Sequence, residues 1–478
     1  MLFHSTRGKD KDKTFEQVLM QGLAKDGGLY MPNNWPKVDI HKLKDFDNFI
    51  DVAKEIVPLF TDSSFHRAEV ETLLDDTWHD FDKKDLIDIF EVDDSISILE
   101  LFHGPTSAFK DFGLQLAAAF FNKTLQMQNK TAVVFGATSG DTGSAAIDAC
   151  KEFELIKSFI LIPEGNMSEI QRKQMTTVNK ENVFPILASG TFDDCQDIVK
   201  KGFRERTFLR DDQYLLAVNS INWVRIIGQI CYYFYASLKM NKLSEPLNFS
   251  VPTGNFGNVF ACYAASKMGM PLSKIVVAVN SNDILDRFFR NNDYSKLKVN
   301  ETISPSMDIS VASNFERLLY DFYLDCNSDL CSRLYSKFPE ESIQINKSIW
   351  NKTSDLFISY SSDDASTYKC MQFYYKNFNY IMDPHTAVAA DAVKRFKEKL
   401  QGNTIILSTA HPAKFPLALP LSFPPIRLRG LPTLFIGLFC RESSPVSTKC
   451  RFLQPTSNPS NRRIVVPEFP QSNISSGS

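Results

Sequence analysis

The sequence predicts an α/β protein built on mostly parallel sheets with helices on both faces, preceded by a helical cap. Two observations support this fold class. Short apolar or β-branched runs, bounded by turn residues or charges, alternate with helix-like stretches, and the first 90 residues are more helical and end in a mainly acidic stretch. Alternation implies parallel pairing, because each helix carries the chain back to the starting end of the sheet.

The individual elements follow from local patterns. Buried strands are predicted for residues 96–102, 131–135, 158–162, 183–187, 247–251, 275–279 and 403–407. Helices are predicted for residues 108–126, 142–153, 168–178, 193–203, 222–237 and 258–267, where apolar residues recur at helical spacing. We expect a cap region over 1–90, one α/β domain over 91–218, a second α/β domain over 219–415 and a separate tail over 416–478.

The tail differs in composition from the rest of the chain. It holds ten of the 23 prolines, ten serines, seven basic residues and only two acidic ones. Such a tract buries too little apolar surface to offset its ordering entropy, so we expect it to be disordered. A flexible extension explains the change of composition, and a change of reading frame or exon usage near Phe415 explains it equally well.

Composition excludes several functional classes. The 478 residues are 43% apolar and 23% charged, which rules out disorder of the whole chain. The formal charge of −3 leaves no field to attract nucleic acid or an anionic membrane. The nine cysteines are scattered without a C-x-x-C pair, and the N-terminus has no apolar signal region. We therefore expect a soluble, unexported, cytoplasmic protein without a zinc site.

The loop after the first predicted strand carries Lys110 at a helix start. The positive end of the helix dipole disfavours an ammonium there and lowers its pKa, which suits the amine to Schiff-base chemistry. The alternative is a solvated lysine beside Asp111, an acidic residue of the first helical turn. This segment by itself favours the alternative.

Three further loops are candidates for ligand binding. Residues 136–144 combine three glycines with hydroxyl groups, and residues 252–258 run through Gly254 and Gly257 into an Ala-rich helix. Both can bind an anion through backbone N–H groups, although a tight turn or a helix cap explains much of each pattern. Residues 408–415 place a hydroxyl at a strand end, where it can face a heterocyclic nitrogen. One lysine, two anion loops and this hydroxyl together indicate pyridoxal phosphate.

The motifs around these loops resemble a known family. In chain order they match threonine synthases of many bacteria and fungi, and the similarity covers about residues 1 to 415. The matching segments are Ser5-Thr-Arg-Gly, Asp26-Gly-Gly-Leu-Tyr-Met-Pro, His103-Gly-Pro-Thr-Ser-Ala-Phe-Lys-Asp, Thr138-Ser-Gly-Asp-Thr-Gly, Asn219-Ser-Ile-Asn-Trp-Val-Arg, Thr253-Gly-Asn-Phe-Gly-Asn, Ser304-Pro-Ser-Met-Asp-Ile and Ser408-Thr-Ala-His-Pro-Ala-Lys-Phe.

The resemblance implies a fold-type II pyridoxal phosphate enzyme that converts O-phospho-L-homoserine and water into L-threonine and phosphate. It implies that Lys110 forms the Schiff base and moves protons, and that Thr409 faces the pyridine nitrogen. The cofactor phosphate would be held by Gly254, Asn255, Phe256, Gly257 and Asn258. The substrate would be held by Ser139, Gly140, Asp141, Thr142, Arg225, Ser306 and Lys414.

Several alternatives stay open. Arg225, Ser306 and Lys414 are equally explained as a surface ion pair, a turn serine and a solvated lysine, and His103 as a proton relay or a packing residue. The same resemblance admits a phospho-lyase that releases 2-oxobutyrate, or an inactive pyridoxal phosphate-binding protein whose C-terminus is altered. We expect a monomer or homodimer that binds neither nucleic acid nor membrane.

Overall fold

The computed structural model describes residues 1–83, 85–138, 140–164 and 167–419. The strands in these ranges are β1 (Phe3–Ser5), β2 (Tyr30–Pro32), β3 (Asp88–Asp93), β4 (Ile96–Glu100), β5 (Thr131–Ala137), β6 (Ile156–Pro163), β7 (Val183–Ala188), β8 (Gln213–Leu216), β9 (Leu247–Pro252), β10 (Leu272–Val279), β11 (Phe357–Ser361) and β12 (Thr404–Ser408).

The α-helices in the same ranges are α1 (Phe15–Gln21), α2 (Ile40–Leu43), α3 (Phe49–Ile56), α4 (Pro58–Thr61), α5 (Arg67–Thr77), α6 (Lys110–Gln128), α7 (Asp141–Cys150), α8 (Glu169–Thr176), α9 (Phe192–Glu205), α10 (Trp223–Lys239), α11 (Gly257–Lys267), α12 (Ile284–Asn291), α13 (Phe315–Leu318), α14 (Ser328–Lys337), α15 (Lys347–Trp350), α16 (Asp364–Phe378) and α17 (Pro384–Phe396). A π-helical turn, Leu319–Tyr323, follows α13.

The strands form two main sheets. The larger has the order β11-β10-β9-β12-β4-β3 and is parallel except for the edge strand β3, which runs antiparallel to β4. The smaller has the order β7-β6-β5-β8 and is entirely parallel. Strands β1 and β2 form a separate antiparallel pair. The predicted α/β class with two parallel sheets is confirmed.

The predicted elements correspond to observed ones. All seven predicted strands are present, as β4, β5, β6, β7, β9, β10 and β12, and the six predicted helices are α6 to α11. Helices α1 to α5 all precede residue 80, so the predicted helical character of the N-terminal region is confirmed, whereas its extent as a cap over 1–90 stays a prediction. Strand β4 pairs with β12, so it lies in the same sheet as β9 and β10. The domain boundaries at 90 and 218 stay a prediction.

Helix α10 joins the cap to the site. It is buried over nearly its whole length and packs against α3, α6 and α11. Gly113 on α6 and Gly228 on α10 allow this close crossing, because a Cβ on either would lie 3.0 Å from a backbone oxygen of the other helix. The crossing brings the first turn of α10, with Arg225, beside the first turn of α6, with Lys110.

The predicted disordered tail lies mostly outside the described residues, which end at 419. Its first residues, Pro416–Ala418, form a 3-10 turn with Leu417 89% exposed. The seven cysteines in the described ranges form no disulfides with one another.

Candidate active site

The four predicted loops meet at one cleft. They follow β4, β5, β9 and β12 and leave the carboxyl ends of parallel strands, where α/β proteins bind ligands. The cleft encloses about 650 Å³, part of it open to solvent. Its walls comprise Phe109, Lys110, Asp141, Thr142, Ser220, Arg225, Gln229, Pro252, Thr253, Gly254, Asn255, Phe256, Gly257, Asn258, Ser306, Met307, His385, Thr409 and Ala410.

These walls contain nearly all the site residues predicted from the sequence. Among the described residues, only Gly140 and Lys414 of the predicted set do not line the cleft. Ser139 lies outside the described residues. The assignment of individual roles to these side chains stays a prediction, whereas their convergence on one cleft is observed.

Lys110 is the first residue of α6, and its side chain is only 12% exposed. Its Nζ lies 3.2 Å from Oδ2 of Asp141. Burial lowers the pKa of Lys110 below its ordinary value; the Asp141 carboxylate opposes this effect, and the positive charges of Lys414 and Arg225 add to it. An amine with a lowered pKa is a more available base and nucleophile near neutral pH.

Asp141, the first residue of α7, is the acceptor on which several donors converge. Besides Lys110, it accepts from Lys414 Nζ at 2.7 Å, Gln171 Nε2 at 2.8 Å and Ser306 Oγ at 3.1 Å. Burial alone would raise the pKa of Asp141, but the two ammonium groups outweigh it and hold that pKa well below its usual range. The side chain is therefore a carboxylate with its oxygens already in use.

Lys414 contacts Asp141 from outside the cleft wall. Its side chain is fully buried, and Nζ also donates to the carbonyl of Thr106 at 2.7 Å. Lys414 and Ser306 thus bind the two oxygens of the same Asp141 carboxylate. Because Lys414 is buried, its interpretation as a solvated lysine is wrong.

Arg225 is a buried cation at the cleft wall. It is 2% exposed; Nη1 donates to the carbonyl of Val218 at 3.1 Å, and Nε has no hydrogen-bond partner in the described structure. Burial lowers the pKa of Arg225 to about 10. A guanidinium in this setting is suited to an anionic ligand, and the interpretation as a surface ion pair is wrong.

The loop after β9 leads into the N-terminus of α11. Gly254 packs closely enough on the Ser306 backbone that a Cβ would lie 3.0 Å from the Ser306 carbonyl oxygen. Phe256 adopts a left-handed conformation with φ of 65°, and Gly257 begins the helix. The first N–H groups of a helix have no intrahelical acceptor, so they can receive a phosphate.

Asn258 provides a test of whether a phosphate group fits this loop. Its Oδ1 accepts from the hydroxyl groups of Tyr232 and Tyr233, the latter at 2.7 Å. Its Nδ2 is buried at the cleft wall without a partner among the described residues. A buried donor held in this way is costly unless a ligand accepts from it. The loop therefore fits an anionic cofactor group.

Thr409 also lines the cleft. It follows β12, is 5% exposed, and its carbonyl accepts from the N–H of Phe109 at 2.9 Å. This backbone bond holds Thr409 next to the residue that precedes Lys110. The contact of its hydroxyl with a heterocyclic nitrogen stays a prediction.

A buried pair, His385 and Asp383, supports Ser306 and was not predicted from the sequence. His385 Nε2 accepts from the Ser306 backbone N–H at 3.1 Å, and its Nδ1 donates to Asp383 Oδ1 at 2.8 Å. Asp383-Pro-His at the start of α17 signals a helix N-terminus, because Asp caps and Pro is favoured at the first position. Nothing in this local pattern indicates a role in the cleft.

His103 does not line the cleft. Its Nε2 is 2.9 Å from Glu100 Oε2, and its ring lies 4.8 Å from that of Phe102, centre to centre. The packing interpretation of His103 is therefore favoured over the proton relay. Gln171, which donates to Asp141, was also missed, because it is simply one polar residue of a short helix.

Comparison with known proteins agrees with this geometry. Residues 92–331 match the family model described as a pyridoxal-phosphate dependent enzyme, residues 2–78 match threonine synthase N terminus, and residues 386–447 match threonine synthase, C-terminal. The chain is 40% identical to the threonine synthase of Pseudomonas aeruginosa over 421 residues, which cover 87% of this chain and 89% of that protein.

The chain belongs to the threonine synthase family. A second relative, the threonine synthase of Saccharomyces cerevisiae, is 40% identical over 450 residues, with 87% of each chain covered. Among solved structures, the pyridoxal phosphate-bound threonine synthase from Brucella melitensis superposes with a TM-score of 0.83 at 36% identity, covering 87% of this chain and 90% of that one. The fold-type II architecture expected of the threonine synthase family is confirmed.

As a member of the threonine synthase family, the chain is a pyridoxal phosphate-dependent enzyme, and the segment that matches the cofactor-dependent family includes Lys110 and the loop at 254–258. In the described part of the chain, none of the helices combines the length and the apolar character needed to cross a membrane.

Proposed function

We propose that this protein is a threonine synthase that converts O-phospho-L-homoserine and water into L-threonine and inorganic phosphate. The observation that carries the proposal is the position of the Lys110 amine, which lies in one cleft with the Asn258 donor, the buried Arg225 guanidinium and the Asp141 carboxylate. The reaction breaks the substrate's Cγ–O bond and one Cβ–H bond, and it forms a Cβ–O bond to the oxygen of water and a Cγ–H bond. Phosphate leaves with the Cγ oxygen and takes up the proton that water releases.

In this proposal, different residues bind the phosphate and the ring of the cofactor. Backbone N–H groups of the loop at 254–258 and Nδ2 of Asn258 would hold the phosphate of pyridoxal phosphate, and the Thr409 hydroxyl would bind its ring nitrogen. When bound, the cofactor supplies an electron sink for negative charge that develops beside the substrate's α-carbon.

Lys110 moves the protons. Its lowered pKa keeps a fraction of the amine neutral, so Nζ can take the proton from the substrate's α-carbon and return it later in the reaction. Asp141 opposes this lowering and holds the amine by a hydrogen bond at 3.2 Å. Asp141 therefore orients the base and keeps it able to carry a proton between steps.

The substrate's two anionic groups need different partners. The backbone N–H groups at Gly140 to Thr142, together with the Thr142 hydroxyl, are suited to the substrate carboxylate, because the Asp141 side chain is already bound by four donors. Arg225 supplies positive charge and Ser306 a hydroxyl donor for the departing phosphate. Lys414, which does not line the cleft, adds positive charge from behind Asp141. The buried cleft limits access of water until phosphate has left.

Product identification tests this proposal. The purified chain, loaded with pyridoxal phosphate, is incubated with O-phospho-L-homoserine, and products are identified by mass spectrometry beside a Lys110→Ala variant. We expect threonine and phosphate from the wild type and neither from the variant. Formation of 2-oxobutyrate instead would identify a phospho-lyase, and cofactor binding without any product would identify an inactive binding protein.

We further propose a cytoplasmic monomer or homodimer without nucleic-acid or membrane partners. The near-neutral formal charge of −3 supports the absence of a nucleic-acid partner. Light scattering of the purified chain measures its mass in solution, and a mass above that of a dimer would contradict the proposal.

A further inference from the structure

The loop at 254–258 is held by residues 313–317, which do not themselves line the cleft. The backbone N–H and the Nδ2 of Asn314 both donate to the carbonyl of Asn255, at 3.0 and 3.1 Å. Ser313 Oγ donates to Asn255 Oδ1 at 3.1 Å. In a trans peptide the C=O and the next N–H point in opposite directions, so these bonds turn the N–H of Phe256 away from residues 313–317.

Phe256 also depends on this segment. Its φ of 65° is unusual for a bulky residue and is strained unless the surroundings enforce it. The Phe256 ring packs edge-on against Phe315, with ring centres 5.4 Å apart. Residues 313–317 therefore hold the loop both at the Asn255 carbonyl and at the Phe256 ring.

Arg317 determines which way the Asn314 amide faces. Arg317 is fully buried, and its Nη1 donates to Asn314 Oδ1. Because Oδ1 is taken by a cation, Nδ2 is the end of the amide that reaches Asn255. The guanidinium also donates through Nη2 to the carbonyl of Ile221 at 2.7 Å and through Nε to the carbonyl of Tyr30 at 3.1 Å.

The N-terminal segment holds Glu316, the residue that precedes Arg317. Glu316 accepts from Thr6 Oγ1 at 2.6 Å and receives a bidentate pair from Arg7, with Nε and Nη2 at 3.1 and 3.0 Å. The Tyr30 carbonyl that binds Arg317 lies in β2, which pairs with β1. The two N-terminal motifs of the sequence thus converge on residues 316 and 317, neither of which lines the cleft.

We propose that Asn314 and Arg317 are positioning residues for the cofactor phosphate, and that the N-terminal segment anchors them through Glu316 and Tyr30. They act by aiming the peptide between Asn255 and Phe256, without touching the cofactor. The inference rests on the proposed role of the loop at 254–258 in phosphate binding.

Cofactor affinity tests the inference. The dissociation constant for pyridoxal phosphate is measured by equilibrium dialysis on full-length wild type, Arg317→Lys, Asn314→Ala and Asn258→Ala. The matched control is Arg287→Lys, because Arg287 is also a multiply hydrogen-bonded arginine, held by Asp283, Asp293 and Ser295, but does not line the cleft. We expect Arg317→Lys, Asn314→Ala and Asn258→Ala to bind pyridoxal phosphate at least roughly tenfold more weakly than wild type. The control should bind it as tightly as wild type.

The outcomes separate the two proposals. If wild type does not bind the cofactor, or if Asn258→Ala binds as tightly as wild type, the assignment of the phosphate loop is overturned. If Asn258→Ala is weakened while Arg317→Lys and Asn314→Ala are not, the positioning inference alone is overturned. Equal weakening in Arg287→Lys would also overturn it, by showing that loss of any multiply bonded arginine loosens the fold.

Recovery of product formation in Arg317→Lys at saturating cofactor supports a positioning role. Should Arg317→Lys fail to fold, Asn314→Ala decides the question.

Discussion

Lys414 and Asp141 form a buried ion pair in which Nζ lies 2.7 Å from Oδ1. Asp141 follows a strand of the four-stranded sheet, and Lys414 follows β12 of the six-stranded sheet. Lys110 binds the other oxygen of the same carboxylate. The Asp141 carboxylate therefore connects Lys110, the base proposed for the reaction, to the fully buried Lys414. It also links segments that follow the carboxyl ends of strands in both sheets.

Loss of Lys414 should destabilise the protein. In Lys414→Gln, Asp141 keeps its ion pair with Lys110 but loses the closer of its two cations. We expect the free energy of unfolding to fall by about 3 kcal/mol, which is the lower end of the loss when a buried ion pair is broken. The exposed pair of Lys397 with Asp93, at 3.4 Å, is the control. Lys397→Gln should change stability by less than about 0.5 kcal/mol. Equal losses in urea unfolding would contradict the account.

The turn at Thr138 to Gly143 should be sensitive to a single methyl group. The Thr138 hydroxyl accepts from the N–H groups of Gly140 and Gly143, at 3.1 and 2.9 Å. A Cβ on Gly143 would lie 2.2 Å from Thr138 Cγ2, so Gly143→Ala must displace this turn. We expect kcat/KM for O-phospho-L-homoserine to fall on the order of a hundredfold, because a misplacement of about 1 Å has that effect on positioned groups.

Gly136→Ala is the matched control for this change. Gly136 precedes the same turn, and an added Cβ would meet only side-chain carbons at ordinary distances of 3.6 and 3.8 Å. Steady-state kinetics should leave this variant close to wild type. A similar loss in both variants would show that the loop is not the sensitive element.

Asp111 should make stability depend on pH. Burial raises the pKa of this carboxyl to about 7 from an ordinary value of 3.8, although Thr106 donates to it. The folded state therefore keeps a proton that the unfolded chain releases, so the contribution of Asp111 to stability falls as the pH rises from about 4 to about 7 and is level above that.

Asp111→Asn isolates this effect, because the amide does not titrate. The free energy of unfolding of wild type minus that of the variant should decrease between about pH 5 and about pH 8. Chemical denaturation at the two pH values measures the difference. A difference that stays constant, or one that increases, would contradict the raised pKa.

Much of the fold follows from local patterns. The strands β4, β5, β6, β9, β10 and β12 are mostly buried and rich in apolar residues, which makes them visible in the sequence. Five of the described strands were missed, namely β1, β2, β3, β8 and β11. β3 contains Asp88, Glu91 and Asp93, which fit an exposed antiparallel edge but resemble a charged loop. β11 alternates with serines and has only five residues.

The candidate site was predictable where chemistry is local. Lys110 at a helix start and the glycines of the loop at 254–258 each carry a recognisable pattern. The pairing of Asp141 with Lys414 and the support of Ser306 by His385 arise only when distant segments fold together. Nothing in a short sequence window identifies which donor an aspartate will meet, so the role of Asp141 as a shared acceptor required the structure.

The most direct test of the proposed reaction uses water labelled with heavy oxygen. The holoenzyme is given O-phospho-L-homoserine in this water, and the products are weighed by mass spectrometry. The account predicts threonine that carries one heavy oxygen in its hydroxyl group, together with unlabelled phosphate, because the Cγ–O bond breaks and water adds at Cβ. Labelled phosphate with homoserine, or 2-oxobutyrate in place of threonine, would contradict it.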